Sequence, residues 1–166
     1  MPGPLLLGGA RTPFGRIGTH WFNPPPVMRL IEVVRGLETS DETLAVVLDL
    51  ARRFGKETIV CKKDTQGFLT SRLIMALVLE AARVVDEGIA DADDVNKACV
   101  LAFNHAMGPL ATVDMGGLDT MERASDAMTH NFGERFRPPQ ILRTLVNAGH
   151  YGRKTGRGFS DYGSAQ

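Results

Sequence analysis

The residues in this chain whose types and spacing point to proton transfer lie in the segment HWFNPPPVMRLIEV, residues 20 to 33. His20 stands before three consecutive prolines, Pro24 to Pro26, and Glu32 stands in the β-rich run that follows them. Proline presets φ and lacks an N–H, so the three form a rigid bend. If the chain doubles back there, His20 and Glu32 meet. A carboxylate bonded to one imidazole nitrogen fixes the tautomer and raises the basicity of the other. That is a general base with its orienter, the logic of a hydrolase triad without the nucleophile. On residue types alone, a structural histidine stays open as the alternative. Asn23, in the Asn-Pro turn, either bonds local backbone and holds the bend or contacts a substrate.

The elements that must position this pair follow from the hydrophobic pattern. Residues 20 to 34 suggest two strands joined by the proline bend. After Gly36 the pattern turns helical: Thr39 and Glu42 have the spacing of a capping box, Leu44, Val47, Leu48, Ala51 and Phe54 follow helical spacing, and Gly55 is a stop. Thr58 to Cys61 is a short strand candidate. A helix from about Leu69 to Glu87 is apolar on nearly all sides between Leu73 and Leu79, which suits a central helix or a subunit interface. Asp91, Asp93 and Asp94 open a helix through Phe103, which Gly108-Pro109 breaks. Met115 to Leu118 reads as a loop, with Asp119 capping a helix to Phe132. Pro138-Pro139 opens the last helix, and the tail GHYGRKTGRGFSDY shows little periodicity. The expected picture is a small β element, residues 1–36, before five helices in residues 37–166.

Bulk properties exclude several functions. Nineteen basic residues balance nineteen acidic ones across 166 residues, so no global charge favours nucleic acid or an anionic membrane. The apolar runs at Leu5 to Leu7 and Leu73 to Leu79 are too short for a signal-peptide core or a membrane span. Cys61 and Cys99 are too few and too far apart for a disulfide framework or a metal cluster, and read as buried thiols. A cytoplasmic protein without metal, nucleic-acid or membrane partners is expected.

The string Gly-Thr-His-Trp-Phe-Asn-Pro-Pro-Pro-Val-Met, with Glu32 following, resembles the catalytic segment of 3-hydroxyacyl-CoA dehydrogenases. Three more segments resemble the same family in the same order. They are Lys63 to Phe68 with Ser71-Arg72-Leu73, Met107 to Leu110 with Asp114 and Gly117-Leu118-Asp119, and Gly152 to Phe159. Together they cover about residues 15 to 162. The resemblance implies that His20 takes the substrate hydroxyl proton while hydride passes from C3 to NAD, and that Glu32 orients His20. The family usually has Pro where this chain has Gln66, and an active-site Asn where it has Ser71. Ser71 then either donates in the site or caps the helix. Arg153, Lys154 and Arg157 either contact coenzyme A phosphates or form a packing turn.

The implied fold is mainly α: the C-terminal helical domain of the hydroxyacyl-CoA/6-phosphogluconate dehydrogenase type, after a short β remnant of a Rossmann domain. The implied partners are an acyl-CoA substrate and a second copy of the chain. No Gly-x-Gly-x-x-Gly loop precedes His20, and the residues before it are too few for a βαβ unit of about 30. Leu5 to Arg16 instead resembles the first strand of thiolases. The expectation is therefore a truncated dehydrogenase, inactive as an isolated chain. The alternative is a non-catalytic helical dimerisation or acyl-CoA-binding module.

Overall fold

The two β-rich runs flanking the prolines become adjacent antiparallel strands, and the second of them organises the first part of the fold. The computed structural model describes residues 11–12, 15–21 and 26–163. The chain divides into two compact units, Met1–Thr70 and Ser71–Gln166. In the first, β1 (Arg11–Thr12), β2 (Gly15–Trp21), β3 (Leu30–Arg35) and β4 (Glu57–Cys61) form one sheet in that order. β2 and β3 run antiparallel, from Ile17 opposite Arg35 to Trp21 opposite Ile31. β4 joins β3 in parallel. Parallel neighbours need a crossover, and α1 (Asp41–Arg53) supplies it.

α1 lays Leu44, Val47, Leu48 and Ala51 against Ile31 and Val33. Successive strand residues point to opposite faces, so Glu32 and Val34 occupy the face away from α1. None of the four residues 31–34 is more than 2% exposed. Because β4 returns to the sheet through α1, the division falls at Thr70, later than the boundary expected at Gly36, where the pattern merely changes period. The expected capping box also shifts. Thr39 Oγ1 accepts from Gly36 N at 3.0 Å and closes the turn out of β3. The cap therefore passes to Ser40, whose hydroxyl accepts from Thr43 N at 3.1 Å. Glu42 does reach back, but its own backbone N–H and the Ser40 hydroxyl are what hold its carboxyl below the ordinary range.

The rest of the chain is helical: α2 (Thr70–Asp86), α3 (Ala92–Phe103), α4 (Pro109–Gly116), α5 (Leu118–Phe132) and α6 (Gln140–Asn147), with 3₁₀ turns at Glu134–Phe136 and Arg153–Thr155. α2 is central to the second unit. Met75, Val78 and Leu79 pack with Val113, Leu118, Met128, Phe136 and Leu142, while Ala81 and Ala82 pack with Val95 and Leu110. Its apolar surface is not wholly covered, since Leu73 is 64% exposed.

α4 is a sixth helix that the sequence reading missed. Pro109 opens it, where a missing N–H costs nothing. Asn96 Oδ1 then accepts from Leu110 N at 3.0 Å and Ala111 N at 3.1 Å. Eight residues that run from a proline to the first of two glycines look like a loop, and the cap comes from another helix. Gly117, with φ 97°, joins α4 to α5, so Asp119 sits in the first turn of α5 and is not its cap.

The tail is ordered by Asp114 of α4, which is 1% exposed. Its carboxylate accepts from Phe159 N at 2.9 Å, Ser160 N at 3.0 Å and the Tyr162 hydroxyl at 2.9 Å. The approach is close enough that a Cβ at Gly158 would overlap this carboxylate, and one at Gly152 would overlap the Asp114 backbone. Among the described residues, no helix is long and apolar enough to cross a membrane.

Candidate functional site

The β2–β3 register sets His20 directly opposite Glu32. The two strands are thus in the alignment that a doubling back of the chain was expected to produce. Asn23 lies outside the described residues. Glu32 is fully buried, and a buried carboxylate must be hydrogen-bonded. Its donors come from the start of α2. Leu69 N and Thr70 N donate to Oε1 at 2.7 and 3.2 Å, and the Thr70 hydroxyl donates to Oε2 at 2.6 Å. The opening amides of a helix have no partner within it, and that end carries partial positive charge. Glu32 therefore serves as the cap of α2.

The loop between β4 and α2 makes this contact possible. Phe68 N bonds Thr65 O at 3.1 Å, and Gly67 and Phe68 both have positive φ, 72° and 48°. A bulky residue in that region is strained and needs its surroundings to hold it there. Two such residues in succession turn the chain so that Leu69 and Thr70 present their amides to Glu32. Ser71, the second residue of α2, is half-buried and belongs to the second unit. Thr70 and the Leu69 amide were invisible to sequence reasoning. A hydroxyl residue at a helix start is a signal, but its partner here lies 38 residues away.

The β3–α1 connection does not fit a dinucleotide pyrophosphate. Such a cradle needs free backbone amides at a helix N-terminus. Here Arg35 to Ser40 contains one glycine, Gly36, whose amide is taken by Thr39. Asp41 and Glu42 add negative charge to the first turn of α1. The basic tail forms a packing turn. Lys154 Nζ donates to Asp119 Oδ1, Arg123 reaches Asp119 Oδ2 at 3.0 Å, and Arg153 lies 5.3 Å from the Tyr162 ring centre. Burial works to raise the Asp119 carboxyl, but Lys154, the Thr120 amide and Arg123 together hold it below the ordinary range.

Residues 67–162 match the family model of the 3-hydroxyacyl-CoA dehydrogenase C-terminal domain, and residues 6–65 match that of the NAD binding domain. The second match begins inside the stretch that resembles a thiolase, and nothing in the comparisons supports that resemblance. A probable 3-hydroxybutyryl-CoA dehydrogenase of Deinococcus radiodurans is 39% identical over 163 residues, 98% of this chain and 58% of that protein. One of Bacillus subtilis is 44% identical over 147 residues, 88% of this chain and 51% of that protein. The crystal structure of (S)-3-hydroxybutyryl-CoA dehydrogenase from Ralstonia eutropha superposes with a TM-score of 0.85 at 42% identity, over 89% of this chain and 52% of that one. The chain spans about half the length of the curated relatives it matches. Ordered motifs, two adjoining family models and a shared fold lead to one conclusion: this chain belongs to the 3-hydroxyacyl-CoA dehydrogenase family.

Proposed function

We propose that the chain supplies the proton-transfer arm and the helical acyl-CoA part of an NAD-linked 3-hydroxyacyl-CoA dehydrogenase, acting in fatty-acid metabolism. The reaction is oxidation of a 3-hydroxyacyl-CoA, such as 3-hydroxybutyryl-CoA, to the 3-oxoacyl-CoA. One observation carries the reading: His20 stands opposite a buried Glu32 whose carboxylate is locked to the start of α2. Directly opposed residues of an antiparallel ladder have Cβ atoms about 4.5–5.5 Å apart, within reach of an imidazole–carboxylate bond. Glu32 then holds the His20 tautomer, and the other ring nitrogen takes the C3 hydroxyl proton as the carbonyl forms. NAD, implied by the family, accepts the hydride when bound; the β3–α1 turn is not its cradle.

Ser71 and Asn23 are proposed as polar contacts to the substrate. The unit β3–α1–β4 is read as the closing βαβ portion of a Rossmann-type domain. Pairing of two copies through the helical unit and a cytoplasmic setting belong to the same reading, the latter in keeping with two free thiols, Cys61 and Cys99.

A second reading, a non-catalytic acyl-CoA-binding or dimerisation module, is favoured by the misfit of the β3–α1 turn to a pyrophosphate. The test follows NADH formation by purified protein from 3-hydroxybutyryl-CoA and NAD, with acetoacetyl-CoA titrated separately by calorimetry. Turnover that falls about 10²-fold or more in His20→Ala supports the enzyme. Binding of the CoA ester without turnover supports the module. Neither binding nor turnover overturns both.

A further inference from the structure

We propose that Thr70 is a positioning residue for the His20–Glu32 pair, an inference that rests on the catalytic reading above. Leu69 and Thr70 reach Glu32 at both of its carboxylate oxygens. The Leu69 and Thr70 amides bind Oε1 at 2.7 and 3.2 Å. Both of those bonds fall on one oxygen. The Thr70 hydroxyl at 2.6 Å from Oε2 closes the second point. A carboxylate fixed at both oxygens has one plane, as in bidentate recognition. The plane in turn decides how the residue opposite on β2, His20, is met.

Thr70 is the residue that is capped, and it also binds the capping group. In an ordinary N-cap the only bond is the one the cap side chain accepts from a helix amide. Here the capping acceptor is Glu32, and the first helical residue adds its own hydroxyl to the same carboxylate. Strain at Phe68, φ 48°, is the local cost of delivering Thr70 to that position. Serine can make the same bond, while valine has the shape of threonine without the donor.

The test is the titration of His20 by NMR in the purified chain, with the other three histidines, His105, His130 and His150, as internal controls from the second unit. Wild type, Glu32→Gln, Thr70→Val and Thr70→Ser are compared, with thermal melts alongside. The expected result is that Glu32→Gln moves the His20 titration and Thr70→Val moves it in the same direction by about half a unit. Thr70→Ser restores the wild-type value, and the three controls stay in place. If Thr70→Val does not fold, Thr70→Ala provides the same comparison.

A Thr70→Val that lowers the melting temperature while leaving His20 unmoved, with Glu32→Gln still active on His20, makes the Thr70 hydroxyl a stabilising contact alone and overturns the proposal without touching the pair. Failure of Thr70→Ser to restore the titration overturns it too. If Glu32→Gln itself leaves His20 unmoved, the catalytic pairing fails and this proposal falls with it.

Discussion

Two buried carboxylates, one in each unit, are built from the same donors and serve different ends. Glu32 on β3 takes two consecutive backbone amides and the Thr70 hydroxyl. Asp114 on α4 takes two consecutive backbone amides and the Tyr162 hydroxyl. Both are at most 1% exposed, and both join segments far apart in sequence. The difference is what stands beside them. Glu32 faces a histidine across a ladder, whereas Asp114 meets a tyrosine and glycines packed against it without space for a side chain. Burial and complete hydrogen bonding therefore do not identify a functional carboxylate. What separates the two is the residue opposite on the sheet, a histidine for Glu32, and the proposed proton transfer rests on that neighbour.

Removing each carboxylate is the strongest way to break that comparison. Asp114→Ala leaves two amides and a hydroxyl without their acceptor, and is expected to cost about 3 kcal/mol or more, measured by urea denaturation. Limited proteolysis should show cleavage opening first in the tail. Glu32→Ala is expected to destabilise similarly. If Asp114→Ala moves the His20 titration in the folded protein as far as Glu32→Ala does, the functional distinction between the two sites is wrong.

Deleting the hydroxyls sharpens the contrast. Tyr162→Phe should cost about 1.5–3 kcal/mol, the range for a hydrogen bond to a charged group. Burial, then the Asp114 bond and charge, raise the Tyr162 phenol above its ordinary value of 10.0. A raised folded value means the stabilisation is complete below about pH 10 and is lost as pH rises through the folded value. Wild type should therefore lose stability faster than Tyr162→Phe above about pH 10; parallel melting curves through that range would exclude the linkage.

The smallest effect compares a distant cap with a local one. α1 is capped by its own neighbour, Ser40, through one neutral hydrogen bond. Ser40→Ala should cost about 1 kcal/mol in urea denaturation, less than either carboxylate. A loss as large as that of Asp114→Ala would mean that the turn from Gly36 to Ser40 depends on this hydroxyl more than its geometry indicates.

Much of the architecture was legible in the residues. The proline bend, its two flanking strands, the strand ending at Cys61 and the helices around Leu79, Val95 and Met128 follow from local pattern and local breakers. The register that sets His20 opposite Glu32 was legible only as a condition, that the chain doubles back between the two runs. The cap of α1 was misplaced by one residue because Thr39 and Ser40 are chemically equivalent locally, and only the turn to Gly36 separates their roles. α4 was missed because its amides are satisfied by Asn96 from another helix.

By itself, the sequence determined the kind of chemistry available, a histidine with a carboxylate, and the order of the motifs that tie the chain to its family. Period, capping and turn preferences are short-range, so they are written in neighbouring residues. Only the tertiary structure decided where the carboxylates are anchored, that β4 returns to the sheet, and that α4 and the tail form one clasp. Those outcomes depend on which backbone amides are left unpaired at helix starts and in the tail. A buried acid takes such amides wherever folding delivers them, at separations that no local pattern records.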